Sequence, residues 1–225
     1  MGACRPYRGR VGSGLILVAA SGLALETAEA ARAAGLEVHG CVDDNPHLAG
    51  STLGGWLTVL GGLDLVVAES DSPLLLCAGK GAVRRQIQAR LAGAGVEAGR
   101  YATVVHPSVD VPRSCSIGAG SILLAGVVLT AAVSVGRHVV AMPHVTLTHD
   151  DTVDDYATLC ADVTLGGHVT VGEAAYLGMA SSVRERVTVG AESTLGMGAV
   201  LTRDLPSGAT WAGVPARPLG ASIRA

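Results

Sequence analysis

The chain has 225 residues, 49% hydrophobic and only 16% charged, with 31 Gly, no Phe and a formal charge of −3. That length allows one or two domains, and a mildly acidic chain offers no basic surface for nucleic acid. Five Cys (Cys4, Cys41, Cys77, Cys115, Cys160) without CxxC spacing exclude a zinc ribbon and fit a reduced, cytoplasmic protein whose thiols are small buried hydrophobes.

Arg5, Arg8 and Arg10 precede an apolar run, Leu15 to Leu25, followed by Ala28-Glu29-Ala30. The pattern mimics a secretory signal, but the run is too short to span a membrane. It reads instead as a flexible leader (1–13), a buried strand Leu15–Ala20 and a helix Leu23–Ala34 closed by Gly35. A second strand, Leu36–Val42, ends in Asp43-Asp44-Asn45-Pro46. Asp64–Ala68 and Leu74–Ala78 are further short apolar runs. Val83–Ala92 reads as a helix with Arg84, Arg85, Gln88 and Arg90 on its polar side. Alternating strands and helices predict a small Rossmann-like parallel sheet over residues 14–100, with Gly93 to Gly99 as the hinge to the rest.

The turn after the first strand, Ala19-Ala20-Ser21-Gly22, keeps one glycine of the dinucleotide fingerprint, so a bound dinucleotide is not expected. Ser21 and Gly22 can still offer helix N-terminal amides to a phosphate, or form an ordinary turn. Asp43 and Asp44 lie at the C-terminal end of a parallel strand, where open α/β sheets bind ligands. They are candidates to accept hydrogen bonds from a ribose or base; the alternative is a solvated turn. Lys80, in Gly79-Lys80-Gly81, is a phosphate candidate on the same grounds, or a loop cap.

From Val105 the chain changes character. Every sixth residue to Leu201 is Val, Ile or Leu, with Ala141 the exception. Four residues after each anchor stands a small or β-branched residue, a register that only Asp151 breaks, and seven positions directly after an anchor are Gly, such as Gly118, Gly136, Gly172 and Gly196. This hexapeptide period predicts a parallel β-helix. Three short strands and three corners close one eighteen-residue coil, with anchors stacked in the core and glycines relieving corners of unusual φ. The stack from residue 101 onward rises roughly 4.8 Å per coil. Flat apolar sides near Val127, Val139 and Val145 predict association into a trimer.

Within the repeat, Leu147-Thr148-His149-Asp150-Asp151 stands apart. Asp151 puts a charge in a small-residue slot, which is costly unless partnered. His149 lies between anchors and is expected to point off the prism. A His beside carboxylates is a general-base arrangement, or a surface His in an acidic loop.

With these residues the chain resembles the sugar O-acyltransferase, sialic acid O-acetyltransferase family, whose relatives include bacterial nucleotide-amino-sugar N-acetyltransferases. The resemblance spans about Leu15 to Leu219. It rests on the strand-loop-helix at Leu15–Ala34, on Cys41 to Pro46, His106-Pro107-Ser108, His149-Asp150, Gly166 to Gly172, and Ala212-Gly213-Val214-Pro215-Ala216-Arg217-Pro218.

It implies a left-handed coil and acyl transfer from an acyl-CoA, acetyl-CoA first, to an amine or hydroxyl of a sugar or nucleotide sugar. It implies His149 as general base, Asp150 as its orienting acid and the Gly167 N–H as an oxyanion-type donor. Gly213, Val214, Pro215 and Ala216 border the CoA groove, and Thr158 stands where some relatives place a second His. The family works as a trimer with CoA between prisms and needs no metal. Met142 stands where a polar Asn is common. Two alternatives differ in class: a trimeric β-helix carbonic anhydrase with zinc on His138, His144 and His149, and an inactive sugar-nucleotide-binding scaffold.

Overall fold

The computed structural model describes residues 14–68 and 72–219; the leader, 1–13, lies outside them. The first part is a five-stranded sheet. β1 (Leu15–Val18), β2 (Val38–Val42), β4 (Leu57–Gly61) and β5 (Leu74–Leu76) run parallel, while β3 (Thr52–Leu53) pairs antiparallel with β4. The sheet order is β3-β4-β2-β1-β5. Helices α1 (Gly22–Ala33), α2 (Asp64–Ala68) and α3 (Gly81–Gly93) connect the strands. β1 is buried along its whole length, which is why its run is uniformly apolar rather than alternating.

Two elements differ from the sequence reading. The sequence reading lacks β3 and β4: Thr52 and the Gly54-Gly55 turn carry little apolar signal, while β4 itself alternates, with Leu57 and Val59 buried. Asp64–Ala68, given above only as an apolar run, is a short helix. The predicted hinge, residues 93–99, is tied down by its neighbours. Val96 is buried, and the Arg100 guanidinium donates to the Val66 carbonyl at 2.7 Å and the Ser72 carbonyl at 2.8 Å.

The second part is a parallel β-helix whose repeating pattern fits the left-handed form. Two-residue strands pair with partners eighteen residues away, for example Ser134 with Thr152 and Val140 with Thr158. The first face stacks Val104–Val105, Ile122–Leu123, Val140–Ala141, Thr158–Leu159, Tyr176–Leu177 and Thr194–Leu195, and closes with Thr210–Ala212 and the antiparallel Arg217–Pro218. The second face runs from Val128–Leu129 to Val200–Leu201, and the third from Ser116–Ile117 to Thr188–Val189. The anchors form one continuous core, most of them nearly inaccessible.

The glycines that follow the anchors have a different cause from the one expected. They are not the residues of unusual φ. That role falls three positions after the anchors, where eleven non-glycine residues from Ala132 to Glu192, six apart, sit at φ 53–63. The glycines are required by the coil above. A Cβ on Gly118 would lie 2.5 Å from the Gly136 carbonyl carbon, and one on Gly172 2.6 Å from the Ala191 nitrogen. Main chain stacks directly on main chain there.

A second expectation fails. Val127, Val139 and Val145 are 2%, 1% and 0% exposed. They fill the prism core and supply no apolar side. Among the described residues, the large apolar side chains exposed on the coils are Val111, Val128, Met179 and Met197.

The two parts are docked. Ile122, Leu124 and Val140 of the prism share a core with Leu23, Ala24 and Ala28 of α1. Arg84, expected on the polar side of its helix, is 0% exposed. Its guanidinium donates to the carbonyls of His138, Ala78, Gly79, Tyr156 and Ala157 and to the Thr158 hydroxyl, at 2.7–3.1 Å. It has no carboxylate partner among these contacts, and burial pushes its pKa down to about 10. Gly81 is needed here because a Cβ would meet the Tyr156 carbonyl oxygen at 2.0 Å.

Candidate active site

The corner between the second and third faces carries His149 and Asp150 on one coil and Gly167 and His168 on the next. Asp150 and His168 occupy successive left-handed slots, φ 63 and 60, which aim both side chains outward from the same edge. His149 Nδ1 lies 2.8 Å from Asp150 Oδ2. His168 Nε2 is 3.6 Å from the same oxygen, and its ring meets that of His149 edge-on at 5.2 Å. The hydrogen bond from His149, with the nearby charge of His168, lowers the Asp150 pKa. An ionised Asp150 holds the proton on His149 Nδ1 and leaves Nε2 as the basic nitrogen.

Gly167 supports this geometry directly. A Cβ at that position would lie 2.4 Å from His149 Cε1 and Nε2, so only glycine lets the imidazole rest where it does. Among the described residues, the Gly167 N–H has no main-chain acceptor.

Asp151 answers the cost that its sequence position raised. It is 0% exposed. Its Oδ2 accepts the Thr148 N–H at 2.8 Å and its Oδ1 the Val169 N–H at 2.9 Å. Burial still raises its pKa to about 6 despite those two donors.

The ligand atoms of His149, Asp150 and His168 all lie within 4.8 Å of one another, so this trio has the donor set for a divalent cation. It is not the trio expected of a carbonic anhydrase. His138 is buried, stacked on Tyr156 at 5.1 Å and edge-on to Tyr101 at 4.7 Å, in the corner between the third and first faces. His144 sits in the remaining corner. The three histidines therefore lie on three different edges of one prism.

The N-terminal candidates do come together, along the C-terminal edge of the sheet. Ser21 caps α1, accepting from the Ala24 N–H at 3.2 Å and donating to the Cys77 carbonyl at 2.7 Å. Asp43 accepts the Ala20 and Asn45 N–H groups at 2.8 and 2.9 Å. Asp44 accepts the Leu63 N–H at 3.1 Å and pairs with Arg90; these lower its pKa, the Leu63 hydrogen bond most. Gly22 is exposed, as is Lys80, which opens α3 without a side-chain cap. Both aspartates thus stitch neighbouring loops together.

Thr158 is fully buried, donating to the Gly79 carbonyl at 2.9 Å and accepting from Arg84. Its hydroxyl is committed to the domain junction and lines no open groove. Gly213 to Ala216 form a turn over the corner between the first and second faces, tied to Val200 through the Gly213 carbonyl and the Ala216 N–H. Val214 and Pro215 are exposed and Ala216 is buried. Two contributors lay beyond the sequence reading. Arg84 was hidden among other arginines, and His168 was visible only as part of a glycine-rich stretch. The eighteen-residue period puts His168 next to Asp150, and that was the available signal.

No family model and no curated protein matches the chain. Solved structures do. PerB from Caulobacter crescentus, in complex with CoA and GDP-perosamine, is 30% identical, with 94% of this chain and 99% of that one covered and a TM-score of 0.83. A variant of perosamine N-acetyltransferase from the same organism gives 29%, with 94% and 98% covered and a TM-score of 0.84. The acetyltransferase domain of PglB from Neisseria gonorrhoeae FA1090, in complex with acetyl coenzyme A, is 30% identical, with 92% and 100% covered and a TM-score of 0.81. With the hexapeptide coil, the docked α/β part and this likeness over nearly its whole length, the chain belongs to the hexapeptide-repeat N-acetyltransferases that act on sugars.

Proposed function

We propose that the protein transfers an acetyl group from acetyl-CoA to the amine of a nucleotide-linked amino sugar, with His149 as general base. The observation that carries this reading is the exposed His149–Asp150 pair resting on Gly167. CoA and GDP-perosamine in the similar PerB structure support the substrate class.

His149 Nε2 takes a proton from the sugar amine as its nitrogen attacks the thioester carbonyl. The C–N bond forms, and the carbonyl oxygen becomes an oxyanion facing the Gly167 N–H. Collapse breaks the C–S bond. The CoA thiolate leaves with the proton held by His149. Asp150 stabilises the imidazolium in between.

The N-terminal crevice, with Ser21, Gly22, Asp43, Asp44 and Lys80, holds the nucleotide end of the acceptor; Gly213 to Ala216 border the CoA. That crevice adjoins the corner of His138 and Tyr156, whereas His149 stands on the next corner, across the third face. An acceptor held by one copy therefore meets the His149 of a neighbouring copy, and the working unit is a homotrimer. Among the described residues no helix is long and apolar enough to cross a membrane, and the reduced thiols fit a cytoplasmic enzyme.

The test is thioester release from acetyl-CoA with a panel of nucleotide 4-amino sugars, free amino sugars and hydroxyl acceptors. Turnover is expected with a nucleotide amino sugar and lost in His149→Ala. Turnover retained in that variant overturns the reading.

A further inference from the structure

The ladder of the second face has one gap. In each coil the N–H that follows an anchor donates to the anchor carbonyl of the next coil: Thr130 to Leu147 at 3.1 Å, Gly166 to Val183 at 2.9 Å, Arg184 to Leu201 at 2.9 Å. The bond expected from Thr148 to Leu165 is missing. The rungs there register only through Thr146 and Thr164, while the rungs on either side pair through both residues. The Thr148 N–H goes instead to Asp151 Oδ2, and the Thr148 hydroxyl takes over the Leu165 carbonyl at 3.0 Å. The residue after the gap is His149.

Nothing about folding requires an acid at this place. The same slot in the other coils of this corner holds Cys115, Val133, Val169 and Val187, all buried. One corner away, Ser121 shows the neutral solution, accepting the Val139 N–H at 3.0 Å. A carboxylate shut in an apolar core without a cation is a standing cost. It is retained at the one coil whose corner carries the His–Asp pair. Its second oxygen also fixes Val169, two residues past Gly167, so one buried side chain sets the main chain beneath the imidazole and the main chain on which the imidazole rests.

We propose that Asp151 is a positioning residue of the transfer reaction: its carboxylate draws the Thr148 N–H out of the ladder and holds the corner in the shape that presents His149 over Gly167. The hydrogen bonds of Asp151 go to the Thr148 and Val169 main chain, so it acts on the imidazole through the backbone.

The proposal rests on His149 being the base, and Asp151→Val tests it. Valine fits the slot, as Val133 and Val169 do, and lets the Thr148 N–H return to Leu165. The variant is expected to unfold at the same temperature as the wild type or higher. Its kcat is expected to fall on the order of 10²-fold, as misplacement of a reacting group does, with KM for acetyl-CoA unchanged. In the His149→Ala background the same substitution is expected to cost nothing further, because both act through one imidazole. Unchanged kcat in Asp151→Val overturns the proposal, and so does an added loss in the double variant. A melting-temperature loss with kcat per folded molecule unchanged also overturns it, since the carboxylate would then be only a fold staple. If the Val variant does not fold, Asp151→Ser replaces it, keeping an acceptor for Val169 but none for Thr148; full kcat there overturns the idea. Retained activity in His149→Ala alone strikes the functional reading beneath, so the two failures are distinguishable.

Discussion

Two corners of the same prism hold a histidine and come to opposite ends. His138 lies at 5% exposure between Tyr101 and Tyr156, its Nδ1 without a hydrogen-bond partner among the described residues, and burial, with the Arg84 charge beside it, pushes its pKa down to about 4. His149 lies on the next corner, open to solvent and paired with a carboxylate. The two mounts differ by one position: His138 holds the left-handed slot of its corner, φ 55, whereas at the other corner Asp150 holds that slot and His149 precedes it. What covers them differs too. The α/β part seals one corner with the buried Arg84 and makes it a structural joint. The other corner is left bare, and it is there that the proposed proton transfer takes place. A repeat thus supplies similar corners, and what packs on a corner decides whether its histidine is sealed or open.

Removing the imidazole tests the reactive corner most severely. His149→Ala is expected to lower kcat by on the order of 10²–10⁴-fold with KM for acetyl-CoA and melting temperature unchanged. A loss below about tenfold, measured by steady-state thioester release, takes His149 out of the proton transfer.

At the sealed corner the matching change is Arg84→Met, which strands several carbonyls in the junction. The expected cost is on the order of 3–5 kcal/mol in denaturant unfolding, with a raised acceptor KM because the crevice loses its seat. A cost near zero would mean that the junction is held by apolar contact alone.

The sealed histidine also leaves a pH signature. With a folded pKa of about 4 and an unfolded value of about 6.5, His138 binds more protons unfolded than folded between those limits. Its contribution to stability is therefore lost as pH falls from about 6.5 to about 4, by roughly 3 kcal/mol in all. His138→Phe should remove that component, so the stability gap between wild type and variant shrinks steadily over the window. Parallel stability–pH curves would show that the ring is not sealed.

The finest probe is a single methyl. Gly167→Ala puts a Cβ against His149 and is expected to lower kcat by about 10²-fold through displacement of the imidazole, without loss of the coil by circular dichroism. Full activity would mean that the imidazole has room to move and that its seat on Gly167 is incidental.

The prism was legible in the sequence because its period is a direct image of the stacking: each anchor from Ile117 to Leu201 in the apolar series faces the core. His149 and Asp150 were legible because adjacency in sequence is adjacency in space. The αL column was not, since Ala, His, Asp, Tyr, Arg and Glu share it; backbone shape there is imposed by ladder bonds on both sides and leaves no residue signature. Arg84 was misjudged because helical spacing gives a face but not what docks on it. β3 leaves little trace because a two-residue antiparallel edge has almost no apolar pattern, whereas β4 does alternate, with Leu57 and Val59 buried and Thr58 and Leu60 exposed, so its signal was there to be read. Asp151 was flagged as a cost, yet its partners are main-chain amides, which no side-chain pattern reveals.

The first face ends not with another rung in the same direction but with Arg217–Pro218, laid antiparallel across Thr210–Ala212 with Pro218 opposite Trp211. A stack of parallel rungs is by nature open-ended, and its last rung is a template for the first rung of another molecule. Reversing the chain direction spoils that match, and a proline in the closing strand removes one of the donors a newcomer would need. On this face the fold carries its own terminator of fibre growth, a device whose loss should be seen as length-wise polymerisation rather than unfolding.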